Sequence, residues 1–436
     1  MTGSVPSLVD RRAIEALRSG VPNSDAVRTL GCNHPRIEEK FREMLAAIDS
    51  GASHGTQVPG LLVSGEFGSG KSHLLEYLQS VALDENFVCS RVVISKETPL
   101  SDPAKVFAAM ASEGRVPGNK VGPAISILAQ ELRSATGAFK SEPYAEFFAW
   151  CGQEPALAQQ FPATVWLLEN GNDREYSQRI VRFWAGDPLK NPELKANLRA
   201  LGQSATYHIG PMPNRRSLAF QRVRFAPRLA RAAGYKGWIV LFDEVELIGR
   251  YTFRGRANAY AELARWMGKL AEEGEPDGRF PGLATVAAIT GEYEARVLRG
   301  GEGDEEAIPN RLAASLKPED HELGRLAKRG MALIQGEREP LPPVTAELMK
   351  STHDKLQAAY SSAFGWDAPV LQQSFTPLSS DVMRPHVRRW ITQWDIARKF
   401  PEATFAPIES PLGPADYTED ADLASGDGQG TSVDDE

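Results

Sequence analysis

The residue types and spacing best suited to chemistry occur in one octet, Gly65-Glu66-Phe67-Gly68-Ser69-Gly70-Lys71-Ser72. This is the pattern G-x-x-x-x-G-K-S, in which glycines allow backbone N–H groups to turn inward around a β-phosphate. Lys71 supplies a positive charge to the β- and γ-phosphates, and the Ser72 hydroxyl can bind Mg²⁺. The octet therefore predicts that the chain binds a nucleoside triphosphate together with Mg²⁺.

The segments on both sides of the octet fit this chemistry. An apolar run at residues 60–64 predicts a short strand, and residues 73–78 carry apolar side chains at helical spacing. The motif requires this order of strand, loop and helix, because the helix N-terminus must point at the phosphates. We therefore expect the nucleotide to contact the whole stretch from Gly65 to His73, and a plain glycine-rich surface turn is disfavoured.

A second group of reactive residues, Asp243 and Glu244, follows the apolar run at residues 238–242. Such a run is typical of a buried central strand, and carboxylates at its C-terminal end lie where α/β sheets bind ligands. Asp243 would contact the hydration shell of Mg²⁺, and Glu244 would accept a proton from attacking water. An Asp-Glu pair alone is more often a simple charge cluster, so this interpretation depends on the octet.

A third apolar run at residues 283–289 ends at Thr290. If this strand lies between the other two, the Thr290 hydroxyl can reach the γ-phosphate or the attacking water. The interval between Lys71 and Asp243 is long for one crossover, and a helical insertion accounts for it. Residues 118–236 contain amphipathic segments and many aromatic residues but no strong strand, which favours an all-helical insertion whose aromatic residues form a core.

The predicted fold is α/β, with a parallel sheet that carries the three strands described above. A further strand is expected at residues 92–95, and a helix is expected from Pro103 to Met110. The predicted units are an N-terminal helical segment (1–50), the first part of the core (51–117), the helical insertion (118–236), the second part of the core (237–308), a helical lid (309–410) and an acidic tail (411–436).

Composition excludes several classes of protein. The chain has 436 residues with 42% hydrophobic residues, and no apolar stretch approaches the ~20 residues that span a membrane. Three widely separated cysteines favour neither a disulfide framework nor a zinc cluster, and the histidines are scattered singly, so that ordinary polar roles are favoured over metal binding. The N-terminus lacks the pattern of a signal peptide, so a reducing cytoplasm is expected.

Charge is concentrated near the C-terminus. The net charge is −8, and residues 418–436 contain seven acidic and no basic residues. This segment is expected to be disordered, either as a solubilising tail or as an acidic tether for a basic partner. The rest of the chain is nearly neutral and does not demand nucleic-acid binding. A basic stretch from Arg215 to Arg231 indicates either solvated helix faces or a contact with nucleic acid or a partner.

The combination of motifs resembles the AAA+ branch of P-loop ATPases, with Walker A at 65–72, Walker B at 241–244 and Thr290 as sensor 1. The resemblance implies a sensor 2 arginine in the lid, for which Arg384 is the first choice and Arg388, one turn later, the alternative. Predicted catalytic residues are thus Lys71, Glu244, Thr290 and Arg384. Five arginines are candidates for an arginine finger, and the sequence does not distinguish among them: Arg250, Arg254, Arg256, Arg296 and Arg311.

Within this branch, the chain is similar to the ATP-binding proteins of bacteriophage-exclusion (BREX) systems. The similarity rests on residues 12–22 (RAIEALRSGVP), 63–73 (VSGEFGSGKSH) and 242–246 (FDEVE). It implies ATP and Mg²⁺ as ligands, a place for residues 20–22 near the adenine, and a role in antiphage defence alongside a DNA methyltransferase, a phosphatase-like protein and helicases. Other BREX proteins are therefore expected partners, whereas DNA and self-association are left open and no membrane is expected.

Three functions are compatible with these residues. The first is an ATP-hydrolysing motor or loader that acts on DNA, and the second is a nucleotide-gated switch or scaffold in which hydrolysis only resets the assembly. Stimulation of hydrolysis by DNA would separate these two. The third, a small-molecule kinase, is disfavoured, because such enzymes are usually smaller chains with lid arginines and an acceptor pocket.

Overall fold

The computed structural model describes residues 7–53, 55, 57–118, 120–133, 141–270, 280–301, 303–371 and 382–402. The predicted acidic tail lies outside these residues. Among the described helices, none is long and apolar enough to cross a lipid bilayer.

One sheet lies at the centre of the described chain. In sequence order its strands are β1 (Leu61–Ser64), β2 (Val88–Val93), β3 (Gly114–Arg115), β4 (Trp238–Asp243), β5 (Leu283–Ile289) and β6 (Arg338–Pro340). Their spatial order is β3-β2-β4-β5-β1-β6. The α/β prediction is confirmed, but the sheet is mixed rather than wholly parallel, because β3 pairs with β2 in the antiparallel sense.

The three strands that carry the predicted chemistry are neighbours. β5 pairs in parallel with β1, where Ser64 lies opposite Ile289, and with β4, where Phe242 lies opposite Ala287. All residues of β4 and β5 are buried, as expected for central strands that are covered on both faces. The C-terminal ends of β1, β5 and β4 therefore lie side by side at one edge of the sheet.

The strand expected at residues 92–95 begins earlier, at Val88, and ends at Val93. Two polar residues inside it, Ser90 and Arg91, interrupt the apolar run, so the hydropathy pattern does not indicate the first part of the strand. Ser90 is fully buried, and its hydroxyl donates to the Met110 carbonyl (2.6 Å) and accepts from Trp238 Nε1 (2.8 Å). A buried polar residue is thus compatible with this strand because its hydrogen bonds are satisfied.

Helices surround the sheet. In chain order they are α1 (Leu8–Ser19), α2 (Ser24–Leu30), α3 (Pro35–Ser53), α4 (Lys71–Asp84), α5 (Pro103–Ser112), α6 (Ala124–Leu132), α7 (Glu142–Gln153), α8 (Gln160–Asn170), α9 (Arg174–Ala185), α10 (Asn191–Ala200), α11 (Arg215–Ala232), α12 (Phe253–Trp266), α13 (Asp304–Ala313), α14 (Pro318–Gly336), α15 (Ala346–Phe364) and α16 (Met383–Lys399). A 3₁₀ helix (Val245–Arg250) follows β4, and a π-helical turn (Glu294–Leu298) follows β5.

Helices α6–α11 occupy the segment predicted as an insertion, and its described part contains no strand. Its aromatic residues form a core. The Phe225 ring lies 5.0 Å from that of Phe161, 5.2 Å from that of Trp184 and 5.3 Å from that of Phe147. These rings belong to the same hydrophobic cluster as β4 and β5, so the helices pack directly on the sheet.

The basic stretch on α11 differs from both expectations at its centre, where two arginines face the interior. Arg222 and Arg224 are only 5% and 6% exposed. The Arg222 guanidinium lies 5.0 Å from the centre of the Phe183 ring and donates to the Asp187 carbonyl, and Arg228 lies 4.3 Å from the Trp150 ring. Arginine packs well against aromatic faces. Arg222 and Arg224 therefore offer neither a solvated face nor a basic surface for DNA, whereas Arg215 and Arg216 at the start of α11 are exposed and pair with Asp102 and Glu262.

The segment predicted as a lid contributes to two different cores. Helices α13 and α14 pack in the main cluster through residues such as Leu312 and Ile334, and β6 joins the sheet beside β1. Helices α15 and α16 instead pack with α1 and α2 in a separate cluster that contains Ile14, Trp390 and Trp394. Helices from both ends of the described chain thus form one small helical unit.

Candidate nucleotide-binding site

The octet connects β1 to α4, so a buried strand and a helix N-terminus position it. Gly68 and Gly70 adopt positive φ angles of +84° and +103°, which glycine tolerates best. Gly70 precedes the first residue of α4, and no side chain caps this helix or places an acid in its first turn. The first N–H groups of α4 therefore remain available to an anion, as the helix N-terminus of a phosphate site requires.

Two polar groups of the loop fit an anionic ligand. Lys71 is only 7% exposed, and its ammonium donates to the carbonyl oxygens of Gly65 (2.9 Å) and Glu66 (3.2 Å) within the loop. The Ser69 hydroxyl oxygen is buried and makes no hydrogen bond to the described residues. Buried polar atoms are usually satisfied, so a ligand in the loop would supply the missing partner.

Asp243 is the last residue of β4 and is 3% exposed. Its Oδ1 accepts the backbone N–H of Glu244 (3.1 Å), and its Oδ2 accepts from Arg91 Nη2 (2.7 Å). Arg91 also donates through Nη1 to Glu76 on α4 (3.2 Å). Our sequence reasoning missed Arg91 and Glu76. The sequence does show a charged residue, Arg91, inside a strand, but this does not indicate which residues Arg91 contacts.

Glu244 adopts left-handed backbone angles (φ 60°, ψ 35°), an uncommon conformation for a residue other than glycine. Strained residues of this kind cost of order 1–3 kcal/mol and concentrate at functional sites. Burial and the nearby Asp243 carboxylate raise the pKa of Glu244, while the charges of Lys71, Arg384 and Arg91 act in the opposite direction. The predicted base therefore lies within the field of one acid and three cations.

Glu246, two residues further on, is a second carboxyl group that sequence reasoning did not identify. It is 7% exposed, and its Oε2 makes no hydrogen bond to the described residues. Burial raises the pKa of Glu246 to about 7, and the Lys71 charge opposes this shift. The site thus contains a carboxyl group that titrates near neutral pH.

Thr290 follows β5 directly and is 3% exposed. Two backbone hydrogen bonds join this strand end to the first residue of the octet: Gly65 N–H donates to the Ile289 carbonyl (3.2 Å), and Gly291 N–H donates to the Gly65 carbonyl (3.3 Å). The structure therefore places Thr290 beside the start of the loop, on the strand between β1 and β4.

Arg384, near the start of α16, contacts the loop directly. Its backbone N–H donates to the Gly68 carbonyl (3.3 Å), and its guanidinium lies over the Phe67 ring. Arg384 also lines the cavity beside the loop, whereas Arg388 is exposed and does not line it. Of the two arginines considered for the sensor 2 role, Arg384 is the one that the fold brings to the octet.

An apolar cavity lies beside the loop. Residues from the loop and from α1, α2, α15 and α16 line this cavity, including Leu17, Gly20, Pro22, Ser72, Leu348 and Val387. His34 also lines it, and burial lowers the pKa of His34 to about 4, so this side chain is neutral at pH 7. The segment expected near the adenine, residues 20–22, therefore borders a cavity of suitable apolar character.

His73 was expected to contact the nucleotide, and it does line this cavity. Its Nε2 lies 3.0 Å from the Gly31 carbonyl, and burial lowers the pKa of His73. The imidazole thus connects α4 to the end of α2.

The donors around the loop suit Mg²⁺. Among the described residues, no group of three or more His, Cys, Asp or Glu side chains could hold a metal ion. Mg²⁺ is commonly held by one or two protein oxygens together with phosphate oxygens and waters. The Ser72 hydroxyl and the Asp243 carboxylate are oxygen donors of this kind. The residues therefore fit the ion, which would neutralise phosphate charge when bound.

The candidates for an arginine finger occupy different environments. Arg256 is 4% exposed and is held by Asp304 and the Tyr251 carbonyl, so it cannot reach a neighbouring molecule. Arg254 pairs with Asp320 (2.9 Å) and Arg296 with Glu292 (2.9 Å), while Arg311 lies over the Phe253 ring. Burial thus removes Arg256 and leaves the other candidates undecided.

Comparison with known proteins identifies one family. The model of the family described as BREX system ATP-binding protein BrxC/D matches residues 5–134. No curated protein and no solved structure matches the chain. The matched segment contains the octet, α4 and β2. The match confirms the resemblance to this family over residues 5–134.

Proposed function

We propose that this protein binds Mg·ATP at residues 65–73 and hydrolyses ATP as an AAA+ type P-loop ATPase. One observation carries the proposal. The octet follows β1, Thr290 follows β5 and Glu244 follows β4, and these three neighbouring strands end at the edge of the sheet where nucleotides bind in α/β folds.

Each residue has a role in this proposal. Lys71 and the N-terminus of α4 bind the phosphates, Ser72 and Asp243 hold Mg²⁺, and Glu244 accepts a proton from the attacking water. The raised pKa of Glu244 strengthens it as a base. Thr290 orients the water or the γ-phosphate, and Arg384 contacts the phosphates from the helical unit.

The biological role rests on the family match. We infer that the protein acts in BREX antiphage defence in the cytoplasm, in the manner of the ATP-binding component BrxD, together with other proteins of that system. The match to residues 5–134 supports this role, and the FDEVE segment at 242–246 lies outside the match but agrees with it. DNA and other copies of the chain are the further partners that an AAA+ ATPase of this system would engage.

A second candidate function is a nucleotide-gated switch that hydrolyses ATP slowly and does not act on DNA directly. One specific observation favours it. The arginines of α11 that were candidates for a DNA contact include buried residues such as Arg222 and Arg224. A motor on DNA needs a basic surface, because phosphate contacts supply most of the affinity, and these buried arginines do not contribute to one.

One assay tests the proposal and separates the two candidates. Steady-state ATP hydrolysis would be measured with and without Mg²⁺, and with single- and double-stranded DNA, for the wild type and Glu244→Gln. Glu319→Gln is a matched control, since Glu319 is an exposed glutamate on α14. Hydrolysis that requires Mg²⁺ and Glu244 supports the ATPase, and stimulation by DNA favours the motor. A wild type without Mg²⁺-dependent hydrolysis would contradict the proposal.

A further inference from the structure

Arg91 connects the two elements that carry the predicted Mg²⁺ donors. It lies on β2, and its side chain is 20% exposed. One terminal nitrogen donates to Asp243 Oδ2 (2.7 Å), and the other donates to Glu76 Oε2 (3.2 Å). Glu76 lies on α4, one turn after Ser72, and its side chain is 8% exposed. The guanidinium thus links the helix of Ser72 to the strand of Asp243.

This arrangement holds Asp243 at both oxygens. The backbone N–H of Glu244 binds Oδ1, and Arg91 binds Oδ2. An ionised carboxylate has about four lone-pair sites, so each oxygen retains capacity for a metal-bound water. Arg91 can therefore fix the orientation of Asp243 without filling its coordination capacity.

The direction of the contact also matters. β2 flanks β4 on the side away from β5 and β1, and the octet follows β1. Arg91 therefore contacts Asp243 from the strand on the side away from β1, and its second contact, Glu76, lies on the helix that begins in the octet.

We propose that Arg91 is a positioning residue that orients Asp243 for Mg²⁺ binding and is itself oriented by Glu76. This inference rests on the proposed function, because it concerns Mg²⁺ at the ATP site. Residues that orient metal ligands typically change metal affinity by about 10–100-fold when they are replaced. The planar fork of arginine is essential to the role, since lysine cannot bridge two carboxylates in the same geometry.

The test measures binding rather than hydrolysis. Fluorescently labelled ATP would be titrated with Mg²⁺ in the wild type, Arg91→Met and Arg115→Met. Arg115 is the matched control, because it pairs with the same Glu76 at 3.8 Å from β3 and its side chain is 60% exposed. For Arg91→Met, the Mg²⁺ concentration at half-maximal effect should rise about 10-fold or more. Binding of the nucleotide in EDTA, and all properties of Arg115→Met, should stay close to wild type.

Two results would overturn the inference. An unchanged Mg²⁺ requirement would limit Arg91 to a structural role, and a lower requirement would mean that Arg91 competes with the metal for Asp243. If circular dichroism shows that Arg91→Met does not fold, Arg91→Lys takes its place. It should show a weaker shift in the same direction, and no shift would overturn the inference. A wild type that binds labelled ATP without any Mg²⁺ dependence would overturn the proposed function itself.

Discussion

The guanidinium of Arg384 lies over the ring of Phe67, with 5.1 Å between Cζ and the ring centre. This contact joins α16 to the tip of the phosphate loop, where Phe67 is 49% exposed. Stacking of arginine on an aromatic ring is worth about 0.5–1 kcal/mol at exposed sites. Because the contact is weak, we expect the Arg384 guanidinium to leave the ring for a phosphate when ATP binds.

Arg384→Ala should weaken binding of ATP by about 10–100-fold, because a hydrogen bond to a charged group contributes roughly 1.5–3 kcal/mol. ADP, which lacks the γ-phosphate, should lose less. Dissociation constants for both nucleotides check this expectation. Arg388→Ala is the matched control, since that residue is exposed one turn further along α16. A larger loss in Arg388→Ala would transfer the role to Arg388.

Lys71→Ala should abolish tight ATP binding and leave the fold intact. The ammonium bonds to loop carbonyls and belongs to no hydrophobic cluster, so its removal leaves the cores unchanged. Calorimetric titration with ATP and a thermal melt on the same preparation measure both effects. Lys350→Ala, at an exposed position on α15, serves as the control. Equal ATP affinity in Lys71→Ala and wild type would remove the octet from the nucleotide site.

In cells that carry the complete defence cluster, Lys71→Ala should also abolish phage resistance. The reason is the match of residues 5–134 to the BREX ATP-binding family, since the loop alone does not indicate phage defence. Plaque counts with wild-type, Lys71→Ala and Lys350→Ala cells measure the effect. Full resistance in cells whose protein cannot bind ATP would show that the nucleotide is dispensable for defence.

Glu244→Gln should bind Mg·ATP as well as wild type but turn over about 10²-fold more slowly, because the amide cannot accept a proton. Any complex that forms only with ATP should then persist longer. ATP binding and steady-state hydrolysis on one preparation check both parts. Near-normal hydrolysis would exclude Glu244 as the base.

The pH profile offers an independent check on Glu244. The base must be ionised, and burial together with Asp243 raises its pKa. The wild-type rate should therefore fall, as pH decreases, at a pH above the ordinary value for glutamate of about 4.3. The residual rate of Glu244→Gln should lack this acid limb, and an identical limb in both proteins would assign it to another group.

Glu246→Gln should stabilise the protein more at pH 8 than at pH 4.5. The folded-state pKa of Glu246 is raised to about 7, so the unfolded chain loses this proton at a lower pH than the folded one. The wild type therefore has its full stability below the pKa that Glu246 has in the unfolded chain. It loses part of this stability as the pH rises through the pKa of Glu246 in the folded protein. The difference between the two pH values should reach at most about 3 kcal/mol, at 1.36 kcal/mol per unit of pKa.

Urea unfolding at both pH values measures this difference. Glu319→Gln, at an exposed position on α14, is the control. A gain for Glu246→Gln that does not depend on pH would show that the pKa of Glu246 is the same in the folded and the unfolded protein.

Local spacing in the sequence was enough to predict several features of this protein. The octet and the strands β4 and β5 with the polar residues that follow them are predicted from patterns of a few residues. Glycine spacing and apolar runs are local signals, because backbone conformation and burial act on neighbouring residues. The predicted chemistry of Lys71, Asp243 and Glu244 came from these signals alone.

Contacts between residues that are distant in the sequence became apparent from the folded chain. Arg91 contacts both Asp243 and Glu76, and Arg222 packs inside the insertion although its sequence context suggested a charged surface. In the same way, α1 and α2 share a core with α15 and α16, which lie more than 300 residues later in the chain. The sequence around a charged side chain does not indicate its partner, because strand order and helix packing over the whole fold determine which residues meet.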